Sequence, residues 1–254
     1  MDLIEINEDN TTRHPWETSR KIIINKFISR IKKSDIEILD VGSGDAYLAN
    51  SFTSNFKNTY SNCVDIGYTD AQINKIKNNF NNKNLKLHTT LSAVKTNKID
   101  IVTLLDVIEH VPSDIDFLND IIKQPFISKD TYFIITVPAY QSLFSQHDIA
   151  LKHYRRYNLK KLKQVITKVN LNYIEGGYFF TTLLITRCFQ LIIEKTASKK
   201  NKNLDNLGNW KGNRVLTKIT KNTLLLDFHV SRLLKKTGLN LPGLSCYIIC
   251  SSKE

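Results

Sequence analysis

The sequence predicts a doubly wound α/β fold, a mostly parallel sheet of seven strands with a helical insertion before the last strand. Three observations carry this prediction. Apolar, β-branched runs alternate with helical patterns over the first two thirds of the chain. The run IDIVTLL at 99–105 is apolar at most consecutive positions, as in a parallel strand that is buried on both faces. A glycine turn, GSGDA at 42–46, separates the first run from the next helix.

Each element follows from local patterning. Apolar residues at helical spacing predict a first helix over 20–32 that packs on the sheet. Ser113, with Asp116 three residues later, and Asn158 mark two later helix starts, because such side chains cap helix N-termini. Further helices are predicted at 46–56 and 70–80. The predicted strands are 36–41, a segment ending at Asp65, 85–90, 99–105, 131–138, 171–180 and 244–252.

Charged side chains are distributed unevenly along the chain. The 254 residues carry a net charge of +12, yet residues 1–149 hold 16 basic and 19 acidic side chains, and residues 150–254 hold 20 and 5. We therefore predict a core over 1–180, a basic helical cap over 181–240 and a final core strand over 241–254. The basic part suits phosphates, nucleic acid, an anionic glycan or a negative lipid surface. A merely solvated basic surface is the alternative.

Composition excludes several classes of protein. With 41% hydrophobic and 24% charged residues, collagen-like, low-complexity and wholly disordered chains are excluded. The four cysteines form no CxxC pair and show no zinc-ligand spacing, so no metal site is predicted. The first ten residues lack a secretory signal pattern, and the apolar run at 178–193 is too short and too interrupted to span a bilayer. We expect a cytoplasmic protein, with peripheral contact at the inner face of the membrane left open.

The strongest motif is ILDVGSGDA at 38–46, placed between a strand and a helix. Gly42 and Gly44 allow a tight turn and a close backbone approach to a ligand. A dinucleotide fingerprint requires glycine at position 47, where this chain has Tyr47. The acidic Asp40 before the turn suits a ligand that carries positive charge.

These residues resemble the first motif of class I S-adenosylmethionine-dependent methyltransferases, acid-x-Gly-x-Gly-x-Gly. Asp40, Gly42 and Gly44 match, and Ala46 replaces the last glycine. The resemblance implies a Rossmann-like fold and S-adenosylmethionine as the cofactor. The acid and the turn, including Ser43, would hold the methionyl part of the cofactor. Asp65 would accept hydrogen bonds from the two ribose hydroxyls, with Ile66 beside it.

Two further segments resemble one subgroup of that family. LDVIEHV at 105–111 is similar to the "EHV" signature of the ubiquinone-type and glycan-associated methyltransferases, which implies that Asp106 and Val107 lie beside the methionine end of the cofactor. The family's acid after strand three is missing, so Thr90, Ser92 or backbone groups would replace it. RHPWE at 13–17, together with Arg20, resembles the subgroup's first helix, in which Trp16 would form a wall of the cofactor cleft or serve as a core anchor.

A cluster of chemically active side chains follows strand five in QHDIALKHYRRYN at 146–158. The subgroup resemblance implies that this segment forms the acceptor pocket. His147 is the first candidate for the general base and His153 the second, with Asp148 as their acidic neighbour. His110 is interpreted as a packing residue, and a solvated basic loop is the alternative for the whole cluster. The predicted acceptor-binding residues are Arg155, Arg156, Tyr157 and Tyr140.

The function predicted from these features is methyl transfer from S-adenosylmethionine to an acceptor hydroxyl. We expect a sugar, glycan-linked or other small anionic acceptor, with a lipid-linked acceptor and a homodimer left open. Two alternatives remain. The first is RNA methylation, with the basic region gripping phosphates, although no RNA-binding module is recognised. The second is a non-catalytic scaffold or membrane-surface protein that keeps the fold.

Overall fold

The computed structural model describes residues 13–31, 35–196, 210 and 212–253. The parts of the predicted core, cap and last strand at 1–12, 32–34, 197–209, 211 and 254 lie outside the described residues. The helices are α1 (Pro15–Ile28), α2 (Tyr47–Asn55), α3 (Asp70–Phe80), α4 (Asp114–Ile122), α5 (Gln146–Ala150), α6 (Leu159–Lys168), α7 (Thr181–Thr196) and α8 (Arg214–Lys236). The strands are β1 (Ile36–Val41), β2 (Thr59–Val64), β3 (Leu85–His88), β4 (Ile101–Leu105), β5 (Tyr132–Pro138), β6 (Leu171–Phe179) and β7 (Ser245–Ser252).

The seven strands form one sheet in the order β3-β2-β1-β4-β5-β7-β6, which confirms the predicted architecture. Strands β1 to β5 pair in parallel, whereas β7 runs antiparallel to both β5 and β6. Helices α7 and α8 lie between β6 and β7 in the chain, as the predicted insertion requires. Strand order reverses between β1 and β4, and a crevice for ligands forms at the carboxyl ends of the strands at such a reversal.

Local capping explains where the helices begin. Asn158 accepts a hydrogen bond from the backbone N–H of Lys161 at 2.8 Å, and Ser113 accepts one from that of Asp116 at 3.3 Å, so both predicted helix starts are confirmed. Helix α1 begins at Pro15, five residues before the predicted start. Proline suits the first position of a helix because it has no N–H to leave unpaired.

Two apolar layers cover the sheet. Helices α4 and α6 bury one layer, through side chains such as Leu118 and Ile166. Helices α1, α2 and α8 bury the other, and the ring of Phe27 on α1 lies 5.8 Å from that of Phe228 on α8. The division into core, cap and final strand stays a prediction. Leu224 and Phe228, which lie within the predicted cap, are buried in the core.

The packing of α8 gives a direct prediction. Phe228 is buried, whereas Leu226, two residues earlier, is 65% exposed. We expect Phe228→Ala to lower the free energy of unfolding in urea by about 3–5 kcal/mol, because it leaves a cavity beside Phe27. The matched variant Leu226→Ala should change it by less than about 0.5 kcal/mol. Equal effects of the two substitutions would show that α8 is not part of the core.

Candidate active site

The glycine turn joins β1 to α2 at the carboxyl edge of the sheet. Gly42 and Gly44 have φ of +70° and +54°, the left-handed region that favours glycine. A Cβ at Gly42 would lie 2.6 Å from Cγ2 of Val107, so the turn also depends on close packing against the chain after β4. Val107, predicted to contact the cofactor, supports the turn. Ser43 is buried, with its hydroxyl 2.8 Å from that of Tyr68.

Asp65 follows β2 and faces the turn. One carboxylate oxygen accepts a hydrogen bond from the backbone N–H of Gly44 at 2.9 Å, and the other accepts one from that of Gly67 at 2.8 Å. These bonds fix the carboxylate and leave each oxygen with a further lone pair. The half-buried carboxylate thus presents two adjacent acceptors, one for each of two neighbouring ribose hydroxyls that donate to it.

The side of the crevice next to Asp65 is open. Ile66 is 94% exposed, so its side chain is available to cover a flat apolar ligand such as adenine. The hydroxyls of Thr90 and Ser92, the candidates to replace the missing acid after β3, lie 3.1 Å apart, and both residues are exposed. They contact each other and remain accessible from solvent.

Asp40 lies at the end of β1, buried beneath the turn. Thr103 on β4 donates a hydrogen bond to its carboxylate at 2.5 Å. Burial raises the pKa of Asp40 from its ordinary value of 3.8 to about 6, and the hydrogen bond from Thr103 opposes this rise only in part. A cationic ligand near the turn would favour the ionised form of this carboxyl.

Arg20 on α1 supplies a cation to the same edge. Its guanidinium is buried and lies 3.0 Å from a carboxylate oxygen of Asp106, and it donates a second bond to Thr136 at 2.9 Å. Asp106 follows β4 with φ of +58°, an unusual conformation for a residue other than glycine. Such strain is common at ligand-binding sites. Arg20 was not a predicted site residue, although it belongs to the N-terminal segment that carries the resemblance.

Helix α1 closes over the turn from above. Arg13 forms ion pairs with Asp45 in the turn and with Glu17. Trp16 borders both the narrow cleft between α1 and the turn and a larger cavity beyond β4. Trp16 thus lines both spaces, and its role as a wall of the cofactor cleft stays a prediction.

The larger cavity has a volume of about 280 Å³. Its apolar walls come from the N-terminal end of α1, the segment after α5, the start of α7 and the chain before β7. The main apolar lining residues are Trp16, Leu151, Phe180, Leu183 and Leu244. Charged and titratable side chains also line the cavity, namely His14, Asp106, Glu109, His110, His147, His153 and Arg156.

Asp148 organises the loop that carries the predicted base. Its carboxylate is fully buried and accepts hydrogen bonds from Nδ1 of His153 at 2.9 Å and from Nε of Arg156 at 2.7 Å. Burial alone would raise the pKa of Asp148, but these two bonds hold it below its usual range. Because the ionised carboxylate only accepts, His153 carries its proton on Nδ1 and leaves Nε2 as a proton acceptor.

His147, the first candidate base, has a different setting. It lines the cavity, and its Nδ1 is buried without a hydrogen-bond partner among the described residues. Burial lowers its pKa, so the neutral form is favoured. Of the two, only His153 has a carboxylate hydrogen-bond partner that fixes its tautomer among the described residues, and the order of the two candidate bases stays a prediction. Asp148 is a positioning residue for His153, since its side chain is fully buried.

Three predicted acceptor-binding residues hold the loop together instead. Arg155 donates to the carbonyl oxygens of Val111 and Pro112, and Tyr157 is fully buried with its hydroxyl donating to Asp114 at 2.8 Å. The ring of Tyr140 stacks on that of Tyr178 at 5.2 Å. None of the three lines the larger cavity as the described residues form it. Arg156 does line it, but Asp148 engages its guanidinium.

Glu109 is a site residue that the sequence did not single out, although it lies within the EHV segment. Its side chain is fully buried, and neither carboxylate oxygen has a hydrogen-bond partner among the described residues. Burial, followed by repulsion from Asp106, raises its pKa well above the ordinary value, which favours the protonated form. Glu109, His110 and His153 place possible metal-ligand atoms within 4.8 Å of one another. The expectation of no metal site stays a prediction.

Comparison with known proteins identifies the family to which the chain is similar. A family model described as "Methyltransferase domain" matches residues 17–175. Ubiquinone biosynthesis O-methyltransferase from Rickettsia bellii (strain OSU 85-389) is 32% identical over 114 residues, 41% of this chain and 45% of that protein. The chain therefore matches less than half the length of this curated relative.

Solved structures share the fold. Phosphoethanolamine N-methyltransferase 2 from Haemonchus contortus, in complex with S-adenosyl-L-methionine, has a TM-score of 0.55 at 15% identity and covers 92% of this chain and 52% of its own. A SAM-dependent methyltransferase from Archaeoglobus fulgidus has a TM-score of 0.51 at 14% identity. The match covers 93% of this chain and 97% of that protein. Since the family model matches more than half of the chain, the chain belongs to the methyltransferase-domain family of class I S-adenosylmethionine-dependent methyltransferases.

Proposed function

We propose that this methyltransferase acts on a hydroxyl group held in the 280 Å³ cavity and that His153 is the general base. The observation that carries the proposal is the pairing of His153 with the buried Asp148 at the cavity wall. This pairing leaves Nε2 of His153 to accept the hydroxyl proton, while Asp148 stabilises the imidazolium that results. A carboxylate–histidine pair is a common arrangement for the deprotonation of a hydroxyl.

The cofactor half of the reaction rests on the sheet edge. S-adenosylmethionine, when bound, supplies a methyl group on a positively charged sulfur. Asp65 fits its ribose hydroxyls, and the carboxylates of Asp40 and Asp106 provide negative charge near the turn. Arg20 lies 3.0 Å from Asp106 and keeps that carboxylate paired and oriented. The residues present therefore fit the cofactor, and the main task of the site is to align the two reactants.

The cavity favours a compact acceptor with an apolar body. Trp16, Phe180 and Leu183 form much of the wall, and small-molecule sites are usually lined this way. Arg155 and Arg156 are engaged within the loop, so neither guanidinium is free to clamp an anion. These contacts support a neutral hydroxyl on a ring or an apolar skeleton. The name of the Rickettsia bellii relative, an O-methyltransferase, supports hydroxyl over amine acceptors.

The anionic or glycan-linked acceptor and the RNA acceptor stay predictions. No contact of the described residues favours either one over the neutral hydroxyl. A cavity of about 280 Å³ with apolar walls suits one ring system better than an extended polar chain. The net positive charge of residues 150–254 lies largely on the insertion and is considered below.

The assignment of the base has a paired test. We expect His153→Gln to reduce kcat by about 10²- to 10⁴-fold, because no other group at Nε2 would take the proton. Its affinity for S-adenosylmethionine, measured by calorimetry, should stay within about twofold of the wild type, because His153 lies on the acceptor side. His147→Gln is the matched control and should reduce kcat by less than about tenfold. A larger loss in His147→Gln than in His153→Gln would transfer the role of base to His147.

Replacing Asp40 gives a second test, in which we expect the free energy of unfolding to rise and the affinity for S-adenosylmethionine to fall. Its pKa is raised from 3.8 to about 6, so the folded state favours the protonated carboxyl. This contribution to stability is fully present below pH 3.8 and is lost as the pH rises through about 6. At pH 7.5, Asp40→Asn should therefore raise the free energy of unfolding by about 1–3 kcal/mol. It should also weaken S-adenosylmethionine binding by about tenfold or more, because a negative charge near the cofactor is lost.

The control for Asp40→Asn is Asp120→Asn, since Asp120 is exposed on α4, away from the turn. It should leave both stability and binding close to wild-type values. The gain in stability of Asp40→Asn should also disappear near pH 4, where the wild-type carboxyl is protonated in the folded state. Loss of stability at pH 7.5 would contradict the buried, ionised carboxylate.

A further inference from the structure

Helix α8 has two apolar faces, and only one of them is used by the core. Leu224 and Phe228 are buried on its inner face. At 100° per residue, the opposite side of the helix carries a second apolar stripe. Its members are 41% to 67% exposed, and they are Val215, Ile219, Leu226, Val230 and Leu233. A helix that only covered a core would have polar side chains on this face.

Helix α7 adds exposed apolar surface next to α8. Ile185 and Phe189, one turn apart, are each more than half exposed. The two helices contact each other, and the carboxylate of Asp227 on α8 accepts a hydrogen bond from the backbone N–H of Thr182 at 2.9 Å. The exposed side chains on α7 and α8 therefore belong to neighbouring elements. We refer to Ile185, Phe189 and the stripe of α8 as the outer face.

Among the described residues, exposed cations border the outer face, in a part of the chain that is rich in basic residues. Residues 181–240 contain twelve Lys and Arg side chains and three Asp and Glu side chains. Arg214, Lys218 and Lys236 are exposed on α8 itself, on the part of its surface that borders the apolar stripe. An apolar stripe bordered by long cationic side chains is the pattern of a helix that lies in the plane of an anionic bilayer.

We propose that the outer face docks the protein on an anionic lipid surface, with α8 lying parallel to the membrane. No helix among the described residues is long and apolar enough to cross a bilayer, so the contact is peripheral. Charge complementarity selects lipid over a second copy of the chain, because two copies would oppose faces of the same strong positive charge. The stripe inserts at the headgroup boundary while the cations contact lipid phosphates.

The docked insertion also borders the acceptor cavity. Leu183 on α7 and Phe180 just before it line that cavity, and Arg187 on α7 donates a hydrogen bond to the hydroxyl of Ser145, next to α5, at 2.5 Å. An acceptor held in the lipid surface would then reach the cavity along α7. This consequence rests on the proposed function, whereas the docking itself does not.

Vesicle flotation tests the docking. The probes are large unilamellar vesicles of phosphatidylcholine alone and of phosphatidylcholine with about one third phosphatidylglycerol. We expect the wild-type protein to bind the anionic vesicles at low salt, with binding at least about tenfold weaker to the neutral vesicles and in about 0.5 M salt. The double variant Leu226→Glu/Leu233→Glu should lose binding to anionic vesicles by about tenfold or more.

Two controls keep the result interpretable. Tyr60→Glu changes an exposed apolar side chain on β2, in the opposite half of the sheet from β6, and should bind vesicles as the wild type does. Affinity for S-adenosylmethionine should be unchanged in the double variant, which shows that it is folded and separates docking from the proposed chemistry. The proposal would be overturned if the wild-type protein did not bind anionic vesicles, or if the double variant bound them as strongly as the wild type. A wild-type dimer that the double variant converts to monomers, without vesicle binding, would assign the face to a second copy.

Discussion

The site depends on one topological constraint, that parallel strands bring their carboxyl ends to the same edge of the sheet. Asp40 ends β1, Asp65 follows β2 and Asp106 follows β4, so three carboxylates gather where the strand order reverses. Like charges at one edge repel one another, and burial raises the pKa of Asp40. The positive charge of Arg20 offsets this repulsion, because its buried guanidinium lies 3.0 Å from the carboxylate of Asp106. Helix α1 must therefore pack over the crevice for the edge to be stable without a ligand.

The acceptor side is organised by a second buried carboxylate. Asp148 fixes His153 and Arg156 together and also accepts a hydrogen bond from the backbone N–H of Ser145 at 2.9 Å. Because Arg187 on α7 donates a hydrogen bond to the hydroxyl of the same serine, the loop with the proposed general base is connected to the insertion. The chemistry, the acceptor cavity and the outer face are thus linked through a short chain of contacts. A change in the position of α7 would therefore shift the position of the proposed general base, His153.

The sequence predicted the fold and the identity of the cofactor, because both follow from local patterns and motifs, while the residues that bind the cofactor stay predictions. Alternating runs predict the strands, and Asp65 follows β2 immediately, so its position depends on few other residues. Such local patterns do not predict which side chains from distant segments come into contact. The choice of His153 over His147 depends on which imidazole faces Asp148, and residue spacing in a five-residue helix does not show this. The burial of Glu109 depends on how the chain after β4 packs, and α8 has apolar residues on two faces, so periodicity alone does not identify the inner one.

The most direct test of the cofactor and acceptor geometry is a crystal structure of the protein with S-adenosylhomocysteine, the product of methyl transfer. We expect both ribose hydroxyls to donate hydrogen bonds to Asp65 and the sulfur to face the cavity that His153 lines. Helix α1 should remain over the ligand, with Trp16 between the product and the acceptor space. A product bound away from the glycine turn, or a sulfur that points away from the cavity, would contradict the arrangement of the site described above.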